Sequence, residues 1–227
     1  MEMIRDYPGA KGGAGVYQTI INNIPPHDVW IEAFVGSGQV TLHKRPAPST
    51  IVIDADAAVI AHWKTHPGVT AICGDASSWL EKWPLNQTCC VYCDPPYLRS
   101  VRSCKRDYYR REFATEAEHE SLLLALRKSN AKVMISGRPS TLYSTMLDYW
   151  RVVTYPTMDH RGHKVTECLW CNFPEPATLH DYRYVGSNYR ERERIKRKKA
   201  RWKARLLSMS ILERAAILDA VGELNSP

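Results

Sequence analysis

Asp94-Pro95-Pro96-Tyr97 stands directly after an apolar run, Cys89–Cys93, and is the segment of this 227-residue chain best suited to chemistry. Two prolines after an aspartate make a stiff turn with fixed φ and no amide hydrogens to donate. Such a turn holds two acceptors rigidly, the Asp94 carboxylate and the Pro95 carbonyl. An aromatic amine such as that of adenine is a poor nucleophile, because its lone pair is delocalised into the ring. Two fixed acceptors for its hydrogens localise that lone pair, a form of preorganised electrostatics. Tyr97 offers a face on which a base can stack once it has left a duplex, as chemistry on a paired base requires. Asp94, Pro95, Pro96 and Tyr97 are therefore the catalytic candidates, although as a bare turn they would be unremarkable.

Two further features belong to a ligand site. Glu32-Ala33-Phe34-Val35-Gly36-Ser37-Gly38 ends the first strong strand, where glycines let the backbone approach a ligand at the carboxyl edge of a sheet. A lone G-x-G is equally a tight turn, and Thr41 replaces the third glycine of a dinucleotide fingerprint, which argues against NAD. Asp54 ends the next strand 18 residues after Gly36, the offset at which a carboxylate holds a ribose diol. Asp56 is a nearby competitor for that role.

Short β-branched runs must position these residues. Strands are expected over Val29–Phe34, Thr50–Asp54, Val69–Cys73, Cys89–Cys93, Lys132–Ser136, Arg151–Tyr155 and Thr166–Asn172. Helices are expected over Gly15–Asn23, Ala57–Lys64, Thr115–Ser129 and Ser140–Tyr149, the third opening on a capping box of Thr115 and Glu118. Strands alternating with helices imply an α/β fold: a Rossmann-like, mostly parallel sheet covered on both faces. The last two strands, close in sequence, form an antiparallel edge hairpin. Residues 1–176 make this domain; 177–227 form a basic helical extension.

Charge is concentrated there. Ten lysines and arginines between Arg190 and Arg205 face only Glu191 and Glu193, a net of +8, so the rest of the chain carries −1 of the total +7. A nearly neutral domain with one basic arm suggests a polyanionic partner, and Tyr189 and Trp202 add stacking surfaces. Beyond the arm, Leu207, Ile211, Ala215, Leu218 and Val221 recur at helical spacing. Hydrophobic content of 44% and charged content of 24% suit a soluble globular protein. No apolar run spans a bilayer, the opening residues lack a secretory h-region, and seven cysteines read as reduced thiols, so a cytoplasmic protein is expected. His160, His163, Cys168 and Cys171 invite a zinc reading, but a strand points Cys168 and Cys171 to opposite faces; no metal is expected. His119 is read as a surface or internally satisfied histidine, and Cys89, Cys90 and Cys93 as core.

Tyr7-Pro8-Gly9-Ala10-Lys11-Gly12, Glu32–Gly38, Asp54, Asp94–Tyr97 and Glu167-Cys168-Leu169-Trp170 together resemble the Dam-like DNA adenine N6-methyltransferases, in matching order over three quarters of the chain. The resemblance implies a seven-stranded methyltransferase sheet, S-adenosylmethionine as cofactor, and methylation of adenine N6 in DNA. Tyr7, Lys11, Asp54 and Asp94 would contact the cofactor, with Glu32, Phe34, Gly36 and Gly38 forming its loop and Asp75 facing its adenine ring. RNA as the polymer, or a catalytically idle nucleic-acid-binding protein, stay open; cytosine N4 is disfavoured because that group usually has serine where Asp94 stands. The chain departs from the family between Asp75 and Asp94, which leaves no room for a recognition subdomain. DNA contacts then fall to the loop with Arg99, Arg102, Lys105, Arg106 and Arg110, and to Arg190, Arg194, Arg197, Lys198 and Arg201 of the arm.

Overall fold

Alternating apolar runs and amphipathic stretches build one sheet with helices on both faces. The computed structural model describes residues 9–102, 113, 115–159 and 162–224. Tyr7, Lys105, Arg106 and Arg110 of the predicted site residues lie outside them. In chain order the elements are α1 (Val16–Ile21), β1 (Val29–Ala33), α2 (Gln39–His43), β2 (Ser49–Asp54), α3 (Ala57–Trp63), β3 (Val69–Cys73), α4 (Ala76–Lys82), β4 (Cys89–Cys93), a 3-10 turn (Arg99–Val101), α5 (Glu116–Lys128), β5 (Lys132–Gly137), α6 (Thr141–Met146), β6 (Arg151–Met158), β7 (Lys164–Cys171), α7 (Tyr189–Leu207) and α8 (Ile211–Glu223).

All seven expected strands are present, in the order β3-β2-β1-β4-β5-β7-β6. The first five run parallel, and β7 is antiparallel to both β5 and β6. The chain leaves β1 toward β2 and β3, then returns to β4 on the other side of β1. This reversal is a topological switch point, where a crevice opens at the carboxyl ends of β1 and β4. The edge hairpin is as expected, but β6 runs past Tyr155 through Pro156 to Met158. An edge strand tolerates a proline because one side of its ladder is unpaired.

One face of the sheet buries Ile31, Ala33, Ile53, Val91, Val133 and Ile135 against Leu80 of α4 and Leu122, Leu123 and Leu126 of α5. Helix α5 forms because Leu122, Leu123 and Leu126 recur on one stripe and Thr115 and Glu118 close a capping box at its start. Two short helices were not read from the sequence. Helix α4 starts where Asp75 accepts the Ser78 amide, and α2 follows Gly38 in the left-handed region.

The chain divides into two compact units, Met1–Tyr182 and Arg183–Pro227. Residues 177–182 are tied to the first: the His180 amide donates to the Ile24 carbonyl at 2.9 Å, and Asp181 accepts the Arg45 amide at 2.8 Å. In the second, Asn188 caps α7 and Ser210 caps α8. The basic arm is α7, and the apolar run beyond it is a separate helix on which Ile211, Leu212, Leu218 and Val221 are exposed.

Candidate active site

The β1–α2 connection crosses the carboxyl edge of the sheet at the switch point. Phe34 has φ 59°, the one positive value at a non-glycine among the described residues. A side chain in that region costs about 1–2 kcal/mol, and such strain clusters at functional sites. The Phe34 ring meets Phe113 edge-on, with centroids 5.0 Å apart. Gly36 and Gly38 follow at φ 46° and 57°. Asp54, at the end of β2, accepts the Gly36 amide through Oδ2 and the Asp56 amide through Oδ1, both at 2.9 Å. Burial pushes the Asp54 pKa up, and the Asp56 and Gly36 amides oppose the shift. Asp56, its competitor, instead caps α3 by accepting the Ala58 amide at 2.9 Å. Trp63, which sequence reading passed over, donates its indole N–H to the Gly36 carbonyl at 3.0 Å. Its ring fills the space a Cβ at Gly38 would take, so packing alone already requires that glycine.

Glu32, in β1, is engaged by α2. Its carboxylate accepts the Thr41 amide at 2.9 Å and also the Thr41 hydroxyl, which in turn accepts from the Trp30 indole at 2.6 Å. Burial pushes its pKa to about 7, against the two Thr41 hydrogen bonds. It thus fastens α2 beneath the glycine loop. Asp75, at the end of β3, is exposed and caps α4.

Asp94, Pro95, Pro96 and Tyr97 leave β4 beside that loop. Lys11 reaches them from the N-terminal segment and is 6% exposed. Its ammonium lies 2.8 Å from Asp94 Oδ1 and 3.5 Å from Glu167 Oε2, and it donates to the Tyr97 hydroxyl at 2.7 Å. Two ion pairs and one hydrogen bond thus converge on the buried Lys11 ammonium. Burial opposes its charge, but Asp94, Tyr97 and Glu167 outweigh that and keep its pKa well above the usual lysine value. Burial pushes Asp94 up to about 6, with Lys11 pulling it down and Glu167 pushing it further up. Tyr155 of β6 donates to Glu167 at 3.3 Å. Glu167 entered the sequence reading only inside a strand motif; its role shows once β7 is placed beside β5.

The remaining predicted residues divide. Arg99 is exposed, whereas Arg102 donates through Nε to the Tyr97 carbonyl and so braces the turn. Arg190, Arg194, Arg197, Lys198 and Arg201 are all on α7, and all five are exposed. His119 is fully satisfied in the core: its ring nitrogens meet the Tyr143 hydroxyl at 2.8 Å and the Phe113 carbonyl at 3.1 Å. Burial lowers its pKa to about 4. Cys168 and Cys171 are buried, and the described residues hold no group of three or more His, Cys, Asp or Glu fit for a metal ion. No described helix is long and apolar enough to cross a membrane.

No protein-family model matches the chain, and no curated protein matches it. Solved structures do. A precorrin 8W decarboxylase from Methanobacterium thermoautotrophicum is 15% identical over 77% of this chain and 97% of its own, with a TM-score of 0.49. A spermidine synthase from Thermotoga maritima is 11% identical over 80% of this chain and 70% of its own, TM-score 0.49. The 23S rRNA methyltransferase ErmE is 13% identical over 80% of this chain and 73% of its own, TM-score 0.45. These three proteins differ in the chemistry their names state, and likenesses this distant carry no argument about this chain. The fold itself is a seven-stranded, mostly parallel Rossmann-like sheet, followed by a C-terminal helical extension.

Proposed function

We propose that this protein is an S-adenosylmethionine-dependent methyltransferase acting on adenine N6 in DNA. The observation that carries the reading is the juxtaposition at the switch point: the Asp94-Pro95-Pro96-Tyr97 turn leaves β4 next to the glycine loop of β1, with Lys11 ion-paired to Asp94 at 2.8 Å.

The residues present fit the cofactor. Asp54 offers a buried carboxylate at the end of β2 for the ribose hydroxyls, and Gly36 and Gly38 keep side chains out of the loop. Asp75, just after β3, is assigned to face the cofactor's adenine ring. Asp94 and Glu167 against Lys11 leave the pocket one negative charge in excess, which suits a cationic ligand. When bound, S-adenosylmethionine supplies a methyl group activated on a sulfonium. Asp94 and the Pro95 carbonyl accept the hydrogens of the adenine amine and localise its lone pair. The prolines hold that acceptor pair rigid, so little reorganisation is needed during reaction. Tyr97 stacks on the flipped base, its hydroxyl held by Lys11 and its carbonyl by Arg102. Asp94 takes the proton that N6 sheds; a buried carboxyl near 6 is ionised at neutral pH and still basic enough for that step.

Between Asp75 and Asp94 the chain forms only α4 and β4, so base readout has no dedicated subdomain. Lysines and arginines on α7 neutralise phosphates, which positions a protein without reading sequence. Relaxed specificity follows, with a preference of one or two flanking bases at most.

The test is incubation with isotope-labelled cofactor and either duplex DNA or structured RNA, with N6-methyladenine measured by mass spectrometry. Label in DNA is expected, and Asp94→Ala should lose at least ~100-fold in turnover. Near-normal turnover of that variant sinks the catalytic assignment. Label confined to RNA moves the reaction to that polymer. Modified adenines confined to one motif of four or more bases would refute relaxed specificity.

A further inference from the structure

We propose that Glu167, on the edge hairpin, is a positioning residue of this site: it shares the Lys11 ammonium with Asp94, so that Asp94 Oδ1 is engaged and Oδ2 is left for the substrate amine and its proton. The inference rests on the reading above and adds a role for β6 and β7, which that reading does not use.

Lys11 bridges the two carboxylates, at 2.8 Å from Asp94 and 3.5 Å from Glu167. Glu167 is itself anchored, 8% exposed in β7 and accepting the Tyr155 hydroxyl across the hairpin from the residue paired with it in register. The anchor fixes Glu167, Glu167 fixes the Lys11 ammonium, and Lys11 fixes Asp94 and Tyr97. The second consequence is electrostatic. Glu167 is a like charge facing Asp94 and favours its protonated form. The other ionisable groups about Asp94 are Lys11, Tyr97, Tyr92, Tyr155, Tyr143, Glu32 and Cys93. Of these, Lys11 alone is a cation. Removing the Glu167 charge therefore leaves Lys11 to Asp94 undivided, and Asp94 becomes a weaker base. The methyl transfer itself would be unchanged in kind: the N6 lone pair forms the N–C bond, the S–C bond breaks to a neutral thioether, and one N6 proton passes to Asp94 Oδ2.

The experiment compares wild type with Glu167→Gln, Glu167→Asp and Tyr155→Phe by two readouts. The first is the Asp94 carboxyl titration in the free protein by 13C NMR, assigned with Asp94→Asn, which needs no substrate. The second is the pH profile of kcat on DNA. Glu167→Gln should lower the Asp94 midpoint and the acidic limb of kcat together by about one pH unit, with kcat down roughly tenfold and KM little changed. Glu167→Asp, which keeps the charge, should return the midpoint toward wild type. Tyr155→Phe should lower kcat without moving the limb. A midpoint in Glu167→Gln that superimposes on wild type overturns the inference. A shifted midpoint in a protein that methylates no nucleic acid leaves the coupling in place and sinks the proposed reaction instead.

Discussion

Replacing Gly38 by alanine tests how tightly the loop under the proposed cofactor is packed. Gly38 sits at φ 57°, ψ 41°, where an L side chain costs about 1–2 kcal/mol. Its new Cβ would be driven into the Trp63 ring, 2.7 Å from Cη2 and closer still to Cζ2, and 3.0 Å from Val35 Cγ2. Trp63 is 1% exposed in the core and cannot swing aside without losing its hydrogen bond to Gly36. Overpacking of this kind costs about 1–3 kcal/mol. The two effects together come to about 2–5 kcal/mol, which at a urea m-value of about 2 kcal/mol/M lowers the midpoint by about 1–2.5 M. A double-mutant cycle separates them. In a Trp63→Leu background the ring is gone, so Gly38→Ala should cost less, the backbone strain of about 1–2 kcal/mol and the remaining Val35 contact. Urea titrations of the four proteins by tryptophan-independent circular dichroism measure the cycle. A cost below about 0.5 kcal/mol in the wild-type background, or equal costs in both, would show that the loop is not held by Trp63.

Asp54→Ala should raise the S-adenosylmethionine Kd more than tenfold, since two charge-assisted hydrogen bonds carry about 2–5 kcal/mol; calorimetry reads it, and an unchanged Kd would pass the role to Asp56. Glu32, held near 7 when folded and below that when unfolded, loses stability as pH rises from about 4.5 to 7 and none beyond, because only the unfolded form ionises in that window. Glu32→Gln removes this dependence, so its melting temperature should gain on wild type through that window and then run parallel; a constant offset from pH 4 to 8 would refute it. Removing residues 183–227 should weaken DNA binding and flatten its salt dependence by about 0.9 in log–log slope for each phosphate that α7 neutralises, with flanking-base preference unchanged. A shortened protein that binds with the wild-type salt slope would show that α7 does not touch the polymer.

The amino-acid sequence by itself was sufficient for the seven strands, the edge hairpin and the two motifs that end β1 and β4, because hydrophobic period and turn residues are local properties. Asp94 and Asp54 could be named as candidates for the same reason: each follows an apolar run directly. Helices α2 and α4 were not legible, and Pro156 disguised the true length of β6 until its edge position was known. What Lys11, Glu32, Trp63 and Glu167 do was decided only by tertiary structure. Lys11 and Asp94 are 83 positions apart and Lys11 and Glu167 farther still, and no local spacing encodes which carboxylate a buried ammonium will meet. The parallel sheet brings β1, β4 and the returning β7 to one crevice. Burial there removes water as an alternative partner, so the charges must satisfy one another.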